Sequence, residues 1–153
     1  MGHSIFQVVL NSRKVIQQMR MTTLDGGKVV IDSRDVTALR RSLQGALLST
    51  EDDGYDVSRT IWNQLIDRHP ALIVQPKNSQ DVATAVSFAA QHGLRLSVRA
   101  GGHNHLGFAV CEGGLMLDLS QMKQTAVDPK TRIAQVEPGL TFAEYDSLTH
   151  QFG

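Results

Sequence analysis

Short apolar runs bounded by proline or polar residues predict strands in the middle of the chain. Ala71–Val74 is a continuous apolar run between Pro70 and Pro76 and predicts a buried strand. Leu94–Val98 alternates apolar and polar residues and predicts a second strand. A helix between these runs is predicted from apolar residues that recur at helical spacing, Val82, Ala85, Val86 and Ala89.

Cap signals mark both ends of this predicted helix. Ser79 is expected to cap its start, and His92–Gly93 is typical of its end, where glycine tolerates a left-handed backbone. A strand, a helix and a strand in this order make a βαβ unit. We therefore expect the two strands to be adjacent and parallel.

Further elements are predicted on both sides of this unit. Upstream, Ser33 or Asp35 can cap a helix whose apolar face is Val36, Leu39, Leu43 and Leu47. Downstream, Leu115–Leu119 alternates and predicts a half-buried strand. The expected core also contains residues between the first helix and the first strand, together with two phenylalanines: Tyr55, Ile61, Trp62, Leu65, Ile66, Phe88 and Phe142.

The C-terminal part predicts a hairpin and a last helix. Residues 124–127 and 132–136 flank a turn at Asp128–Pro129, where aspartate and proline favour a type I turn. Thr141 and Glu144 form a capping box that opens a helix through about His150. The predicted fold class is α/β (α+β), a βαβ unit followed by further strands and a hairpin.

Composition narrows the function classes. Lys plus Arg and Asp plus Glu are both 15, and this zero net charge argues against a nucleic-acid partner. Cys111 is the only cysteine, which excludes an intramolecular disulfide and is consistent with a cytoplasmic location; we expect a small buried thiol. Ile5–Leu10 is too short to span a membrane and follows no basic region, so neither a membrane partner nor a signal peptide is predicted.

The length is that of one ordinary domain. We divide the chain into an N-terminal extension, residues 1–34, which need not be ordered, and a domain over residues 35–153.

The most informative segment is the glycine-rich run that follows the second strand, Arg99–Gly107. Adjacent glycines allow a close backbone approach or a positive φ, and successive backbone N–H groups in such a turn can bind a phosphate. His103 follows the two glycines directly and is a nucleophile and base. The run therefore favours a phosphate-binding turn with a nucleophile, as a nucleotide cofactor would require.

Other interpretations of this run remain open. A dinucleotide-binding turn would need a Gly-x-Gly-x-x-Gly that opens a helix, whereas here a strand follows, and no P-loop motif exists. A metal site is a minor alternative, with ligands from His103, His105, His92 and Cys111 but without evident carboxylate partners. A simple loop is the other alternative.

Five segments in order resemble the FAD-linked oxidases of the p-cresol methylhydroxylase type, and among these the berberine-bridge-enzyme-like branch. The matching segments are 71–76, 81–93, 98–104, 113–120 and 136–139, and the resemblance runs from about Leu39 to the C-terminus. It implies that the chain is the first subdomain of an FAD-binding domain of this type.

The resemblance also implies the residues that bind FAD. In the family, the segment that matches Arg99–Gly107 wraps the FAD pyrophosphate with backbone amides, and the strand and turn that match Pro76 and Gly139 also lie near the cofactor. The histidine that matches His103 is commonly bonded to the 8α carbon of the flavin. The implied cofactor-binding residues are Arg99, Ala100, Gly101, Gly102, His103, Asn104, His105, Gly107, Pro76 and Gly139.

Family members are longer than this chain, and their catalytic base and substrate pocket lie in a later part. The resemblance therefore implies the FAD-binding portion of an oxidoreductase that takes a hydride from a substrate C–H bond and passes electrons to oxygen or another acceptor. We expect this portion to be truncated and inactive alone, without catalytic residues, and to meet a small-molecule substrate only in the complete protein. The alternative is a non-catalytic remnant or interaction module without a cofactor. Cys111 does not match the cysteine that forms a second flavin link in some members.

Overall fold

The structure, a computed structural model, describes residues 18–152. Their elements in chain order are β1 (Gln18–Thr22), β2 (Lys28–Asp32), α1 (Ser33–Ser42), β3 (Ala46–Leu48), α2 (Tyr55–Arg59), β4 (Leu72–Gln75), α3 (Ser79–Gln91), β5 (Leu96–Arg99), β6 (Leu115–Asp118), β7 (Thr125–Asp128), β8 (Ile133–Val136) and α4 (Phe142–Thr149). Short 3-10 turns follow β6 and α4. The prediction for Ile5–Leu10 lies outside the described residues.

The central sheet has four strands in the order β3-β4-β6-β5. β4, β6 and β5 are parallel, and β3 is antiparallel to β4. The α/β fold class is confirmed, and the strands of the βαβ unit are parallel members of one sheet, as predicted. Their predicted adjacency is wrong, because β6 lies between them.

The position of β6 explains a second error. Leu115–Leu119 is predicted to be half-buried, but all four residues of β6 are buried. A strand with a neighbour on each side and packing on both faces has no solvent-facing position. Alternation in the sequence is therefore a poor guide to the burial of this strand.

Two layers cover the sheet. On one face α1, α3 and the β1–β2 hairpin pack onto the apolar side chains of β4 and β6, including Leu72, Val74, Leu115 and Leu117. On the other face Tyr55, Ile61, Ala109 and Val110 pack onto Ile73 and Met116. The second layer consists of α2 and of loops, and it includes part of the segment that follows the glycine run.

The β1–β2 hairpin belongs to the fold. Met21 and Ile31 are buried in the core beneath α1 and α3. The amide of Thr22 donates to Gly113 and the amide of Arg95 donates to Thr22, so the hairpin is bonded to the amino ends of β5 and β6. The described part of the predicted extension, residues 18–34, thus packs as an integral element, while residues 1–17 lie outside the described residues.

Both predicted helices exist with different caps. Asp32 rather than Ser33 or Asp35 caps α1, and Asn78 rather than Ser79 caps α3. The C-cap at His92 and the left-handed backbone of Gly93 agree with the prediction.

The first helix is shorter than predicted. It ends at Ser42, so that Leu43 follows it and Leu47 lies in β3. The buried carboxylate of Asp81 accepts hydrogen bonds from the amides of Gln44 and Gly45 and turns the chain there. A Cβ on Gly45 would lie 2.0 Å from the carbonyl oxygen of Gln75, so this turn packs directly on β4.

Three predicted core residues are exposed instead: Trp62 by 61%, Leu65 by 95% and Phe142 by 88%. Tyr55, Ile61 and Phe88 are buried as predicted, and Ile66 is half-buried. Residues 60–68 hold no helix or strand, so no periodicity determines which of their apolar side chains are buried: Ile61 packs in the core, whereas Trp62 and Leu65 are exposed. The β7–β8 hairpin and the capping box of α4 are confirmed.

Candidate functional site

The predicted site residues gather at the carboxyl edge of the parallel strands. Arg99 is the last residue of β5 and the glycine run continues from it, while Pro76 directly follows β4. Gly139 packs against the turn after β6, where its amide donates to the carbonyl of Met122 at 2.8 Å. Ligands of open α/β sheets bind at this edge, beyond the carboxyl ends of the strands.

The glycine run turns sharply at Gly102, which is buried and has a φ of +71°. That left-handed conformation costs an L side chain about 1–2 kcal/mol. A Cβ at Gly102 would lie 3.3 Å from Nε of Arg99, so the backbone passes directly over this guanidinium. The sequence-based interpretation of the glycines as a special turn is supported at this position.

Four consecutive backbone N–H groups of the turn, residues 101 to 104, donate to no acceptor within residues 18–152. Gly101, His103 and Asn104 are also exposed. Backbone N–H groups require acceptors, and a series of free ones beside a left-handed residue forms an anion-binding concavity.

The second part of the run is held by a sequence-distant segment. The amide of Trp62 donates to Gly102, the side-chain amide of Asn63 donates to His105 at 3.0 Å, and Nη1 of Arg68 donates to Gly107 at 2.8 Å. A Cβ on Gly107 would lie 2.5 Å from Cδ1 of Ile66, so this glycine is required for packing. Residues 62–68 therefore fix the backbone of the glycine run.

The two histidines of the run are exposed beside Trp62. The Trp62 ring lies 6.4 Å from the His103 ring and 5.3 Å from the His105 ring, the latter edge-on. The side-chain oxygen of Asn104 accepts from the amide of Phe108 at 3.0 Å, so this side chain is bonded within the run itself. Of these side chains, the imidazole of His103 is the nucleophile closest in sequence to the free amides.

A buried ion pair lies beneath the turn. Nη1 of Arg99 donates to Oδ1 of Asp118 at 3.0 Å, and the side chain of Asp118 is only 1% exposed. Nε of Arg99 is buried and finds no acceptor among the described residues. The guanidinium thus lies directly beneath the backbone of Gly102, with Asp118 as its counter-ion.

The thiol of Cys111 is buried, as predicted, and burial raises its pKa. Its sulfur lies 3.4 Å from the carbonyl oxygen of Leu115. A protonated, buried thiol is a poor nucleophile. Within residues 18–152 no group of three or more histidine, cysteine, aspartate or glutamate side chains could hold a metal ion.

The sequence-based analysis missed Asp118, Trp62, Asn63 and Arg68 as parts of this site. A signal existed for Asp118, because an aspartate at the end of the apolar run Leu115–Leu117 is unusual in a buried strand. No local pattern indicates the other three, whose partners are about 40 residues away along the chain, as with Asn63 and His105.

No helix among the described residues is long and apolar enough to cross a membrane.

The profile of the family described as FAD binding domain matches residues 70–153, which include the whole carboxyl edge. The chain is 34% identical over 112 residues to (R)-6-hydroxynicotine oxidase of Paenarthrobacter nicotinovorans, covering 73% of this chain and 24% of that protein.

Solved structures show the same similarity. The crystal structure of 6-hydroxy-D-nicotine oxidase from Arthrobacter nicotinovorans superposes with a TM-score of 0.71 at 34% identity, over 73% of this chain and 25% of that one. Glucooligosaccharide oxidase from Acremonium strictum, which carries a 6-S-cysteinyl, 8α-N1-histidyl FAD, gives 0.66 at 28% identity, over 76% and 25%.

The chain spans about a quarter of the length of these relatives. The glycine turn at the carboxyl edge and the parallel strands that position it lie within the residues that the family profile matches. The chain belongs to the FAD binding domain family and is related to FAD-linked oxidoreductases of the p-cresol methylhydroxylase and berberine-bridge-enzyme-like type.

Proposed function

We propose that this chain is the FAD-binding portion of a flavin-dependent oxidoreductase and that residues 99–107 hold the pyrophosphate of FAD. The observation that carries this proposal is the series of free backbone N–H groups at residues 101 to 104. A pyrophosphate supplies several anionic acceptors within the span of such a turn. Pro76 and Gly139, at the same edge of the sheet, are the proposed neighbouring contacts.

The turn fits this group because side chains are excluded where the ligand must approach closely. Gly101 and Gly102 present bare backbone, and a left-handed residue within a series of free N–H groups is typical of backbone sites that bind anions. The Arg99 guanidinium beneath the turn favours an anion on the opposite side.

His103 is the proposed attachment point for the flavin. Its ring is exposed next to the free amides, so a ring nitrogen is accessible to the 8α carbon of a bound flavin. The new C–N bond would replace the imidazole N–H and one 8α C–H bond, and dissolved oxygen would take up the two electrons released. The histidyl linkage of the glucooligosaccharide oxidase relative supports this assignment. We assign no second link to Cys111, because its thiol is buried and its pKa is raised.

This chain would bind and orient FAD, and the bound flavin would supply the hydride-acceptor chemistry for a small-molecule substrate. The backbone amides hold the pyrophosphate, residues 62–68 keep the turn rigid, and His103 tethers the ring system. We assign no catalytic base to this chain.

Covalent attachment is tested by incubating the purified chain with FAD, precipitating it with acid and measuring flavin fluorescence in the washed polypeptide. The wild-type chain is expected to keep its flavin, and His103→Ala to release it. His105→Ala is the matched control, since His105 is also exposed and also contacts Trp62, and it is expected to keep the flavin. An adduct mapped by mass spectrometry to His105, His92 or Cys111 would contradict the assignment.

A further inference from the structure

Asp118 ends the central strand β6, and its carboxylate is bonded to three separate segments. Oδ1 accepts from Nη1 of Arg99 at 3.0 Å and from the amide of Ser120 at 3.2 Å. Oδ2 accepts from Nε2 of Gln75 at 3.1 Å. The carboxylate is fully buried and thus fixed by these bonds.

Each of these partners belongs to a segment that the proposed function places at the cofactor. Arg99 lies under Gly102, and Gln75 directly precedes Pro76. Ser120 lies in the turn whose carbonyl oxygens pack against Gly139, where a Cβ would be 2.4 Å from the oxygen of Leu119. The Asp118 side chain therefore joins the carboxyl ends of β4, β5 and β6. The three proposed cofactor contacts, at Pro76, Gly102 and Gly139, lie at these ends.

We propose that Asp118 is a positioning residue that holds these three segments in their cofactor-binding arrangement. The inference rests on the proposed function for the claim that the segments bind FAD, but the arrangement itself can be measured without a cofactor.

The carboxylate of Asp118 is the buried negative charge opposite Arg99. Replacing Asp118 with asparagine keeps the size of the side chain but removes this charge. The Arg99 side chain is 20% exposed, and a largely buried guanidinium without a counter-ion is unfavourable, so Arg99 is expected to move further toward solvent. Because Gly102 lies directly above Nε of Arg99, the turn must shift with it.

Trp62 reports the position of this turn. It is the only tryptophan in the sequence, its amide donates to Gly102 at 3.1 Å, and its ring lies beside both histidines of the run. Its emission maximum and its quenching by acrylamide can be measured in the folded, cofactor-free chain. FAD affinity is measured separately by titration.

Asp118→Asn is expected to change the quenching of Trp62 well below the unfolding temperature. It should also weaken FAD binding by about tenfold or more, the effect of one hydrogen bond to a charged group. Leu39→Ala is the control, because Leu39 is a buried residue of α1 in the opposite layer. It is expected to lower the unfolding temperature but to leave both Trp62 quenching and FAD affinity unchanged.

Wild-type Trp62 quenching and wild-type FAD affinity in folded Asp118→Asn would overturn the inference. If Asp118→Asn does not fold, Arg99→Gln combined with Asp118→Asn removes both charges, which avoids an unpaired buried ion. This double variant should fold and still show altered quenching, and wild-type quenching in it would again overturn the inference. If the wild-type chain binds no FAD, the proposed function fails, while the Trp62 measurement still decides the role of Asp118.

Discussion

Glycine is required at two positions of the proposed cofactor turn, and the neighbouring atoms differ between them. Gly102 and Gly107 both have a left-handed backbone, with φ of +71° and +74°. A Cβ at Gly102 would approach the Arg99 guanidinium, whereas a Cβ at Gly107 would overlap the side chain of Ile66. Only the requirement at Gly102 concerns the free amides, since Gly102 is one of residues 101–104. Substitutions can therefore distinguish the role of Gly102 from that of Gly107, and from that of a glycine required only by its backbone conformation.

Gly102→Val is expected to abolish FAD retention, because a β-branched side chain is strained at φ +71° and would approach Nε of Arg99. Gly54→Val is the matched control, since Gly54 has a φ of +85° and a Cβ there meets no atom within 4 Å. Both variants carry similar strain of about 1–2 kcal/mol, but only the first should lose FAD, as measured by absorbance after gel filtration. Equal retention in both would contradict the role of Gly102.

Local patterns predicted the turn of the candidate site, whose residues are contiguous in sequence. The glycines, His103 and the exit from a strand are neighbours along the chain, so the turn could be predicted before its structure was known. Trp62 could not be assigned, and Asp118 could only be noted as an unusual aspartate in a buried strand, because their roles depend on contacts between segments about 20 to 40 residues apart in sequence, as the Arg99–Asp118 and Trp62–His103 pairs show.

At the scale of elements, caps and turns were predicted better than strand order. The capping box at Thr141 and the hairpin turn at Asp128 depend on residues within a few positions of each other, and both were correct. The insertion of β6 between β4 and β5 depends on the burial of a whole strand from both faces. The early end of α1 depends on Asp81, which accepts hydrogen bonds from the amides of Gln44 and Gly45 although it is distant from them in sequence.

The capping box of α4 predicts a pH dependence. The bond from Lys123, together with the bonds from Thr141, lowers the pKa of Glu144 from 4.5 to about 2. A carboxylate with a lowered pKa stabilises the folded state above its unfolded pKa, and this contribution is lost as the pH falls from 4.5 toward about 2. The amide protection factors in the first turn of α4, which correct for the intrinsic pH dependence of exchange, should therefore fall in this window, and Glu144→Gln should abolish the change. A wild-type pH dependence in Glu144→Gln would contradict this explanation.

At the scale of the whole molecule, we expect the β1–β2 hairpin to unfold as one cooperative unit with the sheet. Met21 is fully buried against the same core as Leu117 and Phe88, and main-chain bonds join the hairpin to β5 and β6. Its strands could not be attached to the domain from the sequence alone, because no motif or periodicity links residues 18–32 to the βαβ unit. Burial of Met21 is the feature that makes this claim testable.

Met21→Ala is expected to destabilise the whole chain by about 2–5 kcal/mol, the usual cost of truncating a buried methionine. The measurement is urea unfolding followed by the fluorescence of Trp62, which lies in the opposite layer from Met21. An unchanged midpoint would mean that the hairpin unfolds independently of the domain.

The central claim is that FAD binds at the carboxyl edge through the free amides of the glycine turn. Amide chemical shifts of the chain, recorded by NMR while FAD is added, test it most directly. The largest changes are expected at residues 101–104 and at the indole of Trp62, with little change in the distant hairpin of β7 and β8. Saturable FAD binding that leaves residues 101–104 unchanged, or that shifts another surface instead, would contradict the claim.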